Sequence, residues 1–157
     1  MRLTSITSRE LILPDLQAER KVDALREMIA AIGRRHRWRL ILMEGYLWEV
    51  QRRHNLNPGG LGGGVALVYA PITGLKAPTA ALGLSRRGLD FQARDRQPAH
   101  VVLLMLGRPD PDAEELALLE RVRAGLLAPG VARRFLGAPT PEDVWKMIEE
   151  LDPIPVA

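Results

Sequence analysis

The sequence contains no cysteine, only three lysines and no long apolar run. The lack of cysteine excludes a disulfide framework, a thiolate nucleophile, a cysteine-based zinc site and an iron–sulfur centre. The longest apolar runs, Val65 to Ala70 and Val101 to Leu106, are too short to span a bilayer, so we expect no membrane insertion. The first eight residues lack the apolar segment of a secretory signal, and we therefore expect a cytoplasmic protein.

The composition is that of a single globular domain. The chain has 157 residues, of which 46% are apolar and 26% charged, far from the balance of disordered chains. A chain of this length buries roughly 70% of its unfolded surface, which is enough for a core without a disulfide or metal. No repeat or linker divides the sequence, so we predict one domain over residues 1–157.

Arginine accounts for most of the basic charge. The chain carries 19 arginines among 22 basic residues, against 19 acidic residues, for a net charge of +3. One basic cluster, Arg34 to Arg39, encloses Trp38, and a second follows at Arg52, Arg53 and His54. Arginines around an aromatic ring can bind phosphates and stack a base, so a nucleic-acid-binding module through Arg34 to Arg39 is an alternative. We prefer the commoner interpretation, a solvated arginine-rich face.

The hydrophobic pattern predicts strands and helices in an α/β order. Strands are expected over residues 10–13, 65–70, 79–84 and 101–106, the last apolar throughout and therefore central in the sheet. Helices are expected over residues 19–32, 42–53, 129–136, 140–151 and from Asp110 to Leu126. Gly33 is the expected stop of the first helix, and Asp110 and Thr140 are the expected N-caps. This order predicts a three-layer α/β/α domain with a mixed sheet.

Residues 57–64 read Asn-Pro-Gly-Gly-Leu-Gly-Gly-Gly and predict a loop, because glycine loses the most backbone freedom on ordering. Phosphate-binding glycine loops follow a strand and open a helix, whereas these glycines follow a helix and lead into a strand. We therefore expect neither a nucleotide-binding loop nor a bound cofactor.

Several segments, in this order, resemble the enzyme IIA domain of the phosphoenolpyruvate-dependent sugar phosphotransferase system, of the fructose, mannitol and nitrogen-regulatory type. They are Leu11 to Leu16, Lys21 with Ala24 and Leu25, Gly60 to Ala70, Ala81 to Gly83, Gly88 to Phe91, Val101 to Leu106 and Pro141 to Val144. The resemblance covers nearly the whole chain. It implies the three-layer fold of that family and a glycine turn formed by Gly60, Gly62, Gly63 and Gly64.

The chain departs from that family where the chemistry takes place. The resemblance puts Tyr69 at the position of the histidine that accepts a phosphoryl group from the phosphocarrier protein. A second family histidine falls on Glu115. The arginine of the family's Arg-Glu pair is retained as Arg53, and His54 replaces the glutamate. These four positions are the candidate site, and Tyr69 is its degenerate acceptor.

These replacements oppose phosphoryl transfer on chemical grounds. A tyrosine phosphate ester is a much poorer phosphoryl donor than a phosphorylated imidazole. The phenol of Tyr69 has an ordinary pKa of about 10 and no evident base beside it in the sequence. Glu115 adds negative charge where a transferring phosphoryl group needs positive or hydrogen-bonding partners.

The three histidines are scattered, and with no cysteine they give little support for a metal site, so we expect none. We interpret His36 as a surface residue and His100 as a structural residue at the entry to a strand. His54 lies beside Arg53 and leaves open a second hypothesis, an active phosphoryl-transfer component that uses His54.

Our main hypothesis is an inactive IIA-like domain that acts as a regulatory or protein-binding module. Its partner would be a phosphocarrier-like protein or a regulatory target, with a small anion as a further ligand. We do not expect nucleic acid as the partner, and the sequence does not specify the oligomeric state.

Overall fold

The computed structural model describes residues 1–56 and 59–152, except the side chains of residues 55 and 56. The helices are α1 (Leu3–Ile6), α2 (Lys21–His36), α3 (Leu40–Leu56), α4 (Ala113–Leu126), α5 (Val131–Leu136) and α6 (Pro141–Leu151). The strands are β1 (Ile12–Leu13), β2 (Gly60–Gly62), β3 (Val65–Pro71), β4 (Thr79–Leu89) and β5 (Ala99–Gly107). A short 3-10 turn, Arg9–Leu11, precedes β1.

The five strands form one mixed sheet in the order β1-β4-β5-β3-β2. Strand β1 is parallel to β4 and β5 is parallel to β3, while the β4–β5 and β2–β3 pairs are antiparallel. The predicted central strand is confirmed, because β5 lies between β4 and β3 and is buried along almost its whole length.

Alternating side chains of the strands pack into two apolar layers, one on each face of the sheet. Helices α2 and α3 cover the face that carries Ala66, Val68, Val102 and Leu104. Helices α1, α4, α5 and α6 cover the opposite face, which carries Val65, Leu67, Val101 and Leu103. The predicted α/β/α architecture is therefore confirmed, and Tyr69 shares its face with Leu67 and the α4 layer.

Two predicted helix boundaries were wrong. Gly33 lies inside α2, which continues to His36 and ends at Arg37 in a left-handed conformation (φ 58°). Met43 of α3 packs closely against Gly33, and a Cβ on Gly33 would displace the Met43 side chain. The N-cap of α4 is Asp112 rather than Asp110, and its Oδ1 accepts the backbone N–H of Glu115 at 2.9 Å. The N-cap at Thr140 is confirmed, since its hydroxyl accepts the backbone N–H of Asp143.

The glycine segment is only partly a loop. Gly60–Gly62 forms the edge strand β2 beside β3, whereas a loop was predicted for all of these residues. The physical reason is the open edge of β3, with which Gly60–Gly62 pairs. The chain after β4 approaches Gly60 closely, since a Cβ there would lie 2.7 Å from the carbonyl oxygen of Phe91. Asn57 and Pro58 lie outside the described residues, and so do Pro153 and Pro155, which the sequence predicts to end the last helix.

Among residues 1–56 and 59–152, no helix combines the length and apolar character needed to cross a bilayer.

Candidate functional site

Tyr69 lies near the carboxyl end of β3, opposite Met105 of β5. Its side chain is half-buried, and its Oη donates a hydrogen bond to Oε2 of Glu115 at 2.6 Å. This contact corrects one expectation from the sequence, since a carboxylate that could accept a proton lies directly beside the phenol.

The first turn of α4 and the preceding loop hold Glu115 in place. The side chain is fully buried, and the backbone N–H of Glu115 is bound by Asp112. The backbone N–H and Nε of Arg108 each lie 3.4 Å from Oε1 of Glu115, while the guanidinium also pairs with Asp112 at 2.7 Å. A helix N-terminus favours a carboxylate, and these donors compensate for removing its charge from water.

Gly107, the last residue of β5, makes room for this contact. A Cβ at this position would lie 2.6 Å from Oη of Tyr69 and would overlap Oε2 of Glu115. The contact between the phenol and the carboxylate therefore depends on a residue without a side chain. Neither Gly107 nor Arg108 was predicted from the sequence, although a basic residue directly after a buried central strand is a signal for this end of the sheet.

The surroundings of Tyr69 keep its phenol protonated. Burial raises the pKa of Tyr69 well above its ordinary value, and the hydrogen bond to Glu115 and the negative charge of that side chain raise it further. The positive charges of Arg53 and Arg108 act in the opposite direction and do not overcome these effects. The phenol is thus a poor nucleophile at neutral pH.

A cleft of about 380 Å³ lies between the carboxyl end of α3 and the end of β3, where Pro71 follows Tyr69 by two residues. It is lined by Glu49, Arg52, Arg53, Pro71 and Thr73. Oε2 of Glu49 accepts the backbone N–H of Thr73 at 3.1 Å, which fixes α3 to the segment after β3. Two guanidinium groups on one wall give this cleft the charge that an anion requires.

His54 occupies a different environment. Its side chain is 4% exposed and packs edge-on against Phe91, with 5.5 Å between ring centroids. Neither ring nitrogen has a hydrogen-bond partner in the described part of the chain. Burial, with the nearby positive charge of Lys21, lowers the pKa of His54 to about 4. The imidazole is neutral and packed in the α2–α3 layer, away from the side chains that line the cleft.

The other two histidines make structural contacts. Nδ1 of His100 lies 2.8 Å from the carbonyl oxygen of Ser85, which ties β5 to β4. His36 is exposed; its ring stacks on Trp38, and its Nε2 lies 3.2 Å from Oγ1 of Thr79. Within the described ranges, no three side chains of the metal-binding kinds cluster together.

The arginines of the first basic cluster face solvent, whereas the ring of Trp38 packs against neighbouring aromatic rings. Trp38 lies half-buried between His36 and the edge of the Tyr46 ring, whose centroid is 4.8 Å away. Arg35 pairs with Glu10 at 3.4 Å. Because the ring of Trp38 already contacts His36 and Tyr46, the cluster does not offer a free ring for stacking a base.

The glycine turn lies at the other end of β3. Gly62, Gly63 and Gly64 all have positive φ, and the N–H of Gly63 is bound by Asp95 at 2.8 Å. Val65, which follows the turn, is four residues from Tyr69 along an extended strand, or about 13 Å. The structure thus brings Tyr69 and Glu115 together, places Arg53 where its charge acts on the phenol, and separates His54 and the glycine turn from them.

Comparison with known proteins identifies relatives over the same span. Residues 5–151 match the model of the family "Phosphoenolpyruvate-dependent sugar phosphotransferase system, EIIA 2". The chain is 22% identical over 152 residues to a fructose-specific EIIABC component of Bacillus subtilis, covering 97% of this chain but only 24% of that relative. It is 25% identical to a nitrogen regulatory protein of Bradyrhizobium diazoefficiens, covering 94% of this chain and 95% of the relative.

Solved structures share the fold. The nitrogen regulatory protein IIA-Ntr of Neisseria meningitidis superposes with a TM-score of 0.82 at 20% identity, covering 92% of this chain and 97% of that one. The mannitol IIA of Escherichia coli gives a TM-score of 0.72 at 17% identity, with coverages of 90% and 97%. On the match to the family model over residues 5–151, the chain belongs to the EIIA 2 family of the phosphoenolpyruvate-dependent sugar phosphotransferase system.

Proposed function

We propose that this chain is a IIA-type domain that no longer carries a phosphoryl group and acts as a regulatory or protein-binding module. The observation that supports this is the 2.6 Å hydrogen bond from Tyr69 to Glu115, at the position that the family resemblance gives to the phospho-accepting histidine. In the same resemblance Glu115 takes the place of the second histidine. Both nitrogen bases of the relay are thus replaced by an interacting pair of oxygen groups.

Transfer to Tyr69 would break the phosphorus–nitrogen bond of a phosphohistidine donor and form a phosphorus–oxygen bond at Oη. The phenol proton would have to leave, and only Glu115 is bonded to it. The raised pKa of Tyr69 makes this proton loss unfavourable, and the buried carboxylate repels the incoming phosphoryl anion. The resulting ester would also be a poor donor for the next step, so the relay would end at Tyr69.

Relocation of the chemistry to His54 has little structural support. An acceptor nitrogen must reach the phosphohistidine of the donor protein, whereas the His54 ring is buried against Phe91. We therefore keep the active His54 relay as an outcome of the experiment and not as a second proposal.

The partner of the module is proposed to be a protein. A structural neighbour, the mannitol IIA of Escherichia coli, is described in complex with phosphorylated enzyme IIB, with a TM-score of 0.73 at 16% identity to this chain. The cleft with Arg52 and Arg53 opens next to Tyr69 and could also admit a small anion. Since a relay that begins with phosphoenolpyruvate works in the cytoplasm, we propose that location for this domain.

The proposal is tested by incubating the purified chain with phosphoenolpyruvate, enzyme I and the phosphocarrier protein, followed by intact mass spectrometry. We expect no added phosphoryl group on the wild type. The mannitol IIA of Escherichia coli is the positive control for the reagents, and Tyr69→Phe is the matched variant without the phenol oxygen.

An acid-labile, stoichiometric phosphate on the wild type would contradict the proposal. Its loss in His54→Ala would then identify His54 as the acceptor. An acid-stable phosphate absent from Tyr69→Phe would instead identify a phosphotyrosine, and it would also contradict the proposal.

A further inference from the structure

Exposed apolar side chains are concentrated on one helix. In the described part of the chain, four of the seven large apolar side chains that face solvent belong to α3: Leu40, Ile41, Leu42 and Trp48. Ile41 is 81% exposed and Trp48 is 58% exposed. Exposed apolar residues that occur singly need no explanation, but a group on one helix indicates a contact surface.

The exposed residues of α3 follow helical spacing. Ile41, Gly45, Trp48 and Arg52 are separated by four, three and four residues, which places them on one face of the helix. We call these four residues the α3 stripe. A Cβ on Gly45 would have no atom within 4 Å, so the stripe has a notch between Ile41 and Trp48, whose Cα atoms are about 10 Å apart along the axis.

The ends of the stripe are basic. Arg37 and Arg39 precede α3, and Arg52 and Arg53 lie near its end; none of the four belongs to an ion pair among the described residues. Of the two carboxylates beside the stripe, Glu44 pairs with Arg26 at 2.5 Å, whereas Glu49 accepts the N–H of Thr73 and keeps its negative charge beside Arg52 and Arg53. Four arginines against this one carboxylate leave a net positive charge at both ends of the stripe.

The stripe leads to the cleft that Arg53 lines. The guanidinium of Arg52 lies over the ring of Trp48, 4.9 Å from its centroid, and the same arginine also lines this cleft. A partner seated on the stripe would thus reach the cleft without leaving the surface of α3.

We propose that the α3 stripe docks an amphipathic helix of a partner protein, with apolar side chains that fit the notch at Gly45 and acidic residues that face the arginines at the two ends. This rests on the proposed function as a protein-binding module and names the chemistry of its partner. Helices that bind in this way present apolar anchors at helical spacing, and acidic flanks match the charge of the stripe.

Other occupants fit less well. A second copy of the chain would set arginine against arginine across a two-fold axis. A nucleic acid would contact the arginines but leave Ile41 and Leu42 in water, since phosphates do not cover apolar side chains. An anionic membrane would attract the arginines and take up the apolar residues, but a bilayer surface presents no side chain that fits the notch at Gly45.

The probe for the test is a synthetic amphipathic helix of about 18 residues, with leucines along one face and glutamates at both flanks. Isothermal titration measures its binding to the intact chain, and a peptide with lysines in place of the glutamates is the charge control. We expect the glutamate peptide to bind at least about ten-fold more tightly than the lysine peptide, and its affinity to fall as salt is raised.

The deciding variant is Gly45→Gln, which fills the notch in open space and replaces glycine with a better helix former. We expect it to unfold at a higher temperature than the wild type and to bind the peptide about ten-fold more weakly. The double variant Ile41→Ser and Trp48→Ser should weaken binding at least as much. Two controls change exposed residues outside the stripe: Leu127→Ser, and Arg86→Glu on β4. Each should change the affinity less than about two-fold.

Equal binding of the two peptides, or an unchanged affinity in Gly45→Gln, would overturn the proposal. Three other results would also overturn it if the peptide fails to bind. They are dimerisation in ultracentrifugation, capture of the chain by phosphatidylglycerol vesicles, and binding of a DNA duplex, each lost in the stripe variants. The assay contains no phosphoenolpyruvate. A chain that becomes phosphorylated can therefore still dock the peptide, and an inactive chain can fail to dock it, so the two proposals are tested separately.

Discussion

At the scale of single residues, the candidate site depends on Gly107 as much as on the phenol of Tyr69 and the carboxylate of Glu115. We predict that Gly107→Ala lowers the free energy of unfolding by about 1–3 kcal/mol, because its Cβ would push apart Tyr69 and Glu115. Tyr69→Phe should also destabilise the chain by about 1–3 kcal/mol, since Glu115 would lose a donor while buried.

The double variant provides the check. Removing Oη of Tyr69 gives the new Cβ part of the space it needs, so urea unfolding should show that the two losses are less than additive by at least about 0.5 kcal/mol. Full additivity would mean that Gly107 is not what brings the phenol and carboxylate together.

The same site shows which contacts could not be predicted from the sequence. Tyr69 and Glu115 were candidates because each occupies the position of a histidine in the family that the sequence resembles. Their mutual hydrogen bond joins residues 46 positions apart and depends on the register of β3 against β5. Local spacing contains no information about that register. For this reason the expectation of no base beside the phenol was wrong, and the roles of Gly107 and Arg108 were not foreseen.

At the scale of elements, two helical glycines are predicted to respond in opposite directions to the same substitution. Gly45→Ala on α3 should stabilise the chain by up to about 1 kcal/mol, because the methyl group meets no neighbour and restricts the unfolded chain. Gly125→Ala on α4 should destabilise it by about 1–3 kcal/mol, because its Cβ would lie 2.7 Å from the carbonyl oxygen of Leu151 on α6.

Thermal unfolding of the two variants beside the wild type measures this difference. An increase in the midpoint for Gly125→Ala would show that α4 and α6 are not in close contact at this point. A decrease for Gly45→Ala would show that the α3 stripe has no open notch, and it would weaken the docking proposal as well.

Elements were predictable where their signals are local. Leu25, Ile29 and Ile32 of α2 are buried at helical spacing, and Thr140 caps α6 as its sequence indicates. The boundaries that were wrong depend on contacts between elements. Helix α2 continues through Gly33, which packs against Met43 of α3, and Gly60–Gly62 forms a strand because it pairs with the edge of β3. From composition alone, both segments are predicted to interrupt regular secondary structure.

At the scale of the whole molecule, His54 makes stability depend on pH. The folded chain holds this imidazole with a pKa of about 4, whereas the unfolded chain binds its proton near the ordinary value of about 6.5. Between these values the unfolded state takes up more protons than the folded state, so acidification favours unfolding. The loss of unfolding free energy caused by His54 is absent above about pH 6.5, grows as the pH falls, and reaches about 3 kcal/mol near pH 4.

Urea unfolding of the wild type and of His54→Leu between about pH 7 and pH 4 measures this contribution, because the difference between the two proteins cancels the carboxylates that titrate in both. We expect the wild type to lose about 3 kcal/mol more than the variant over this range. Parallel losses would mean that the ring is hydrated or charged in the folded state. Such an imidazole could reach a donor protein, so this measurement also bears on the alternative in which His54 carries the phosphoryl group.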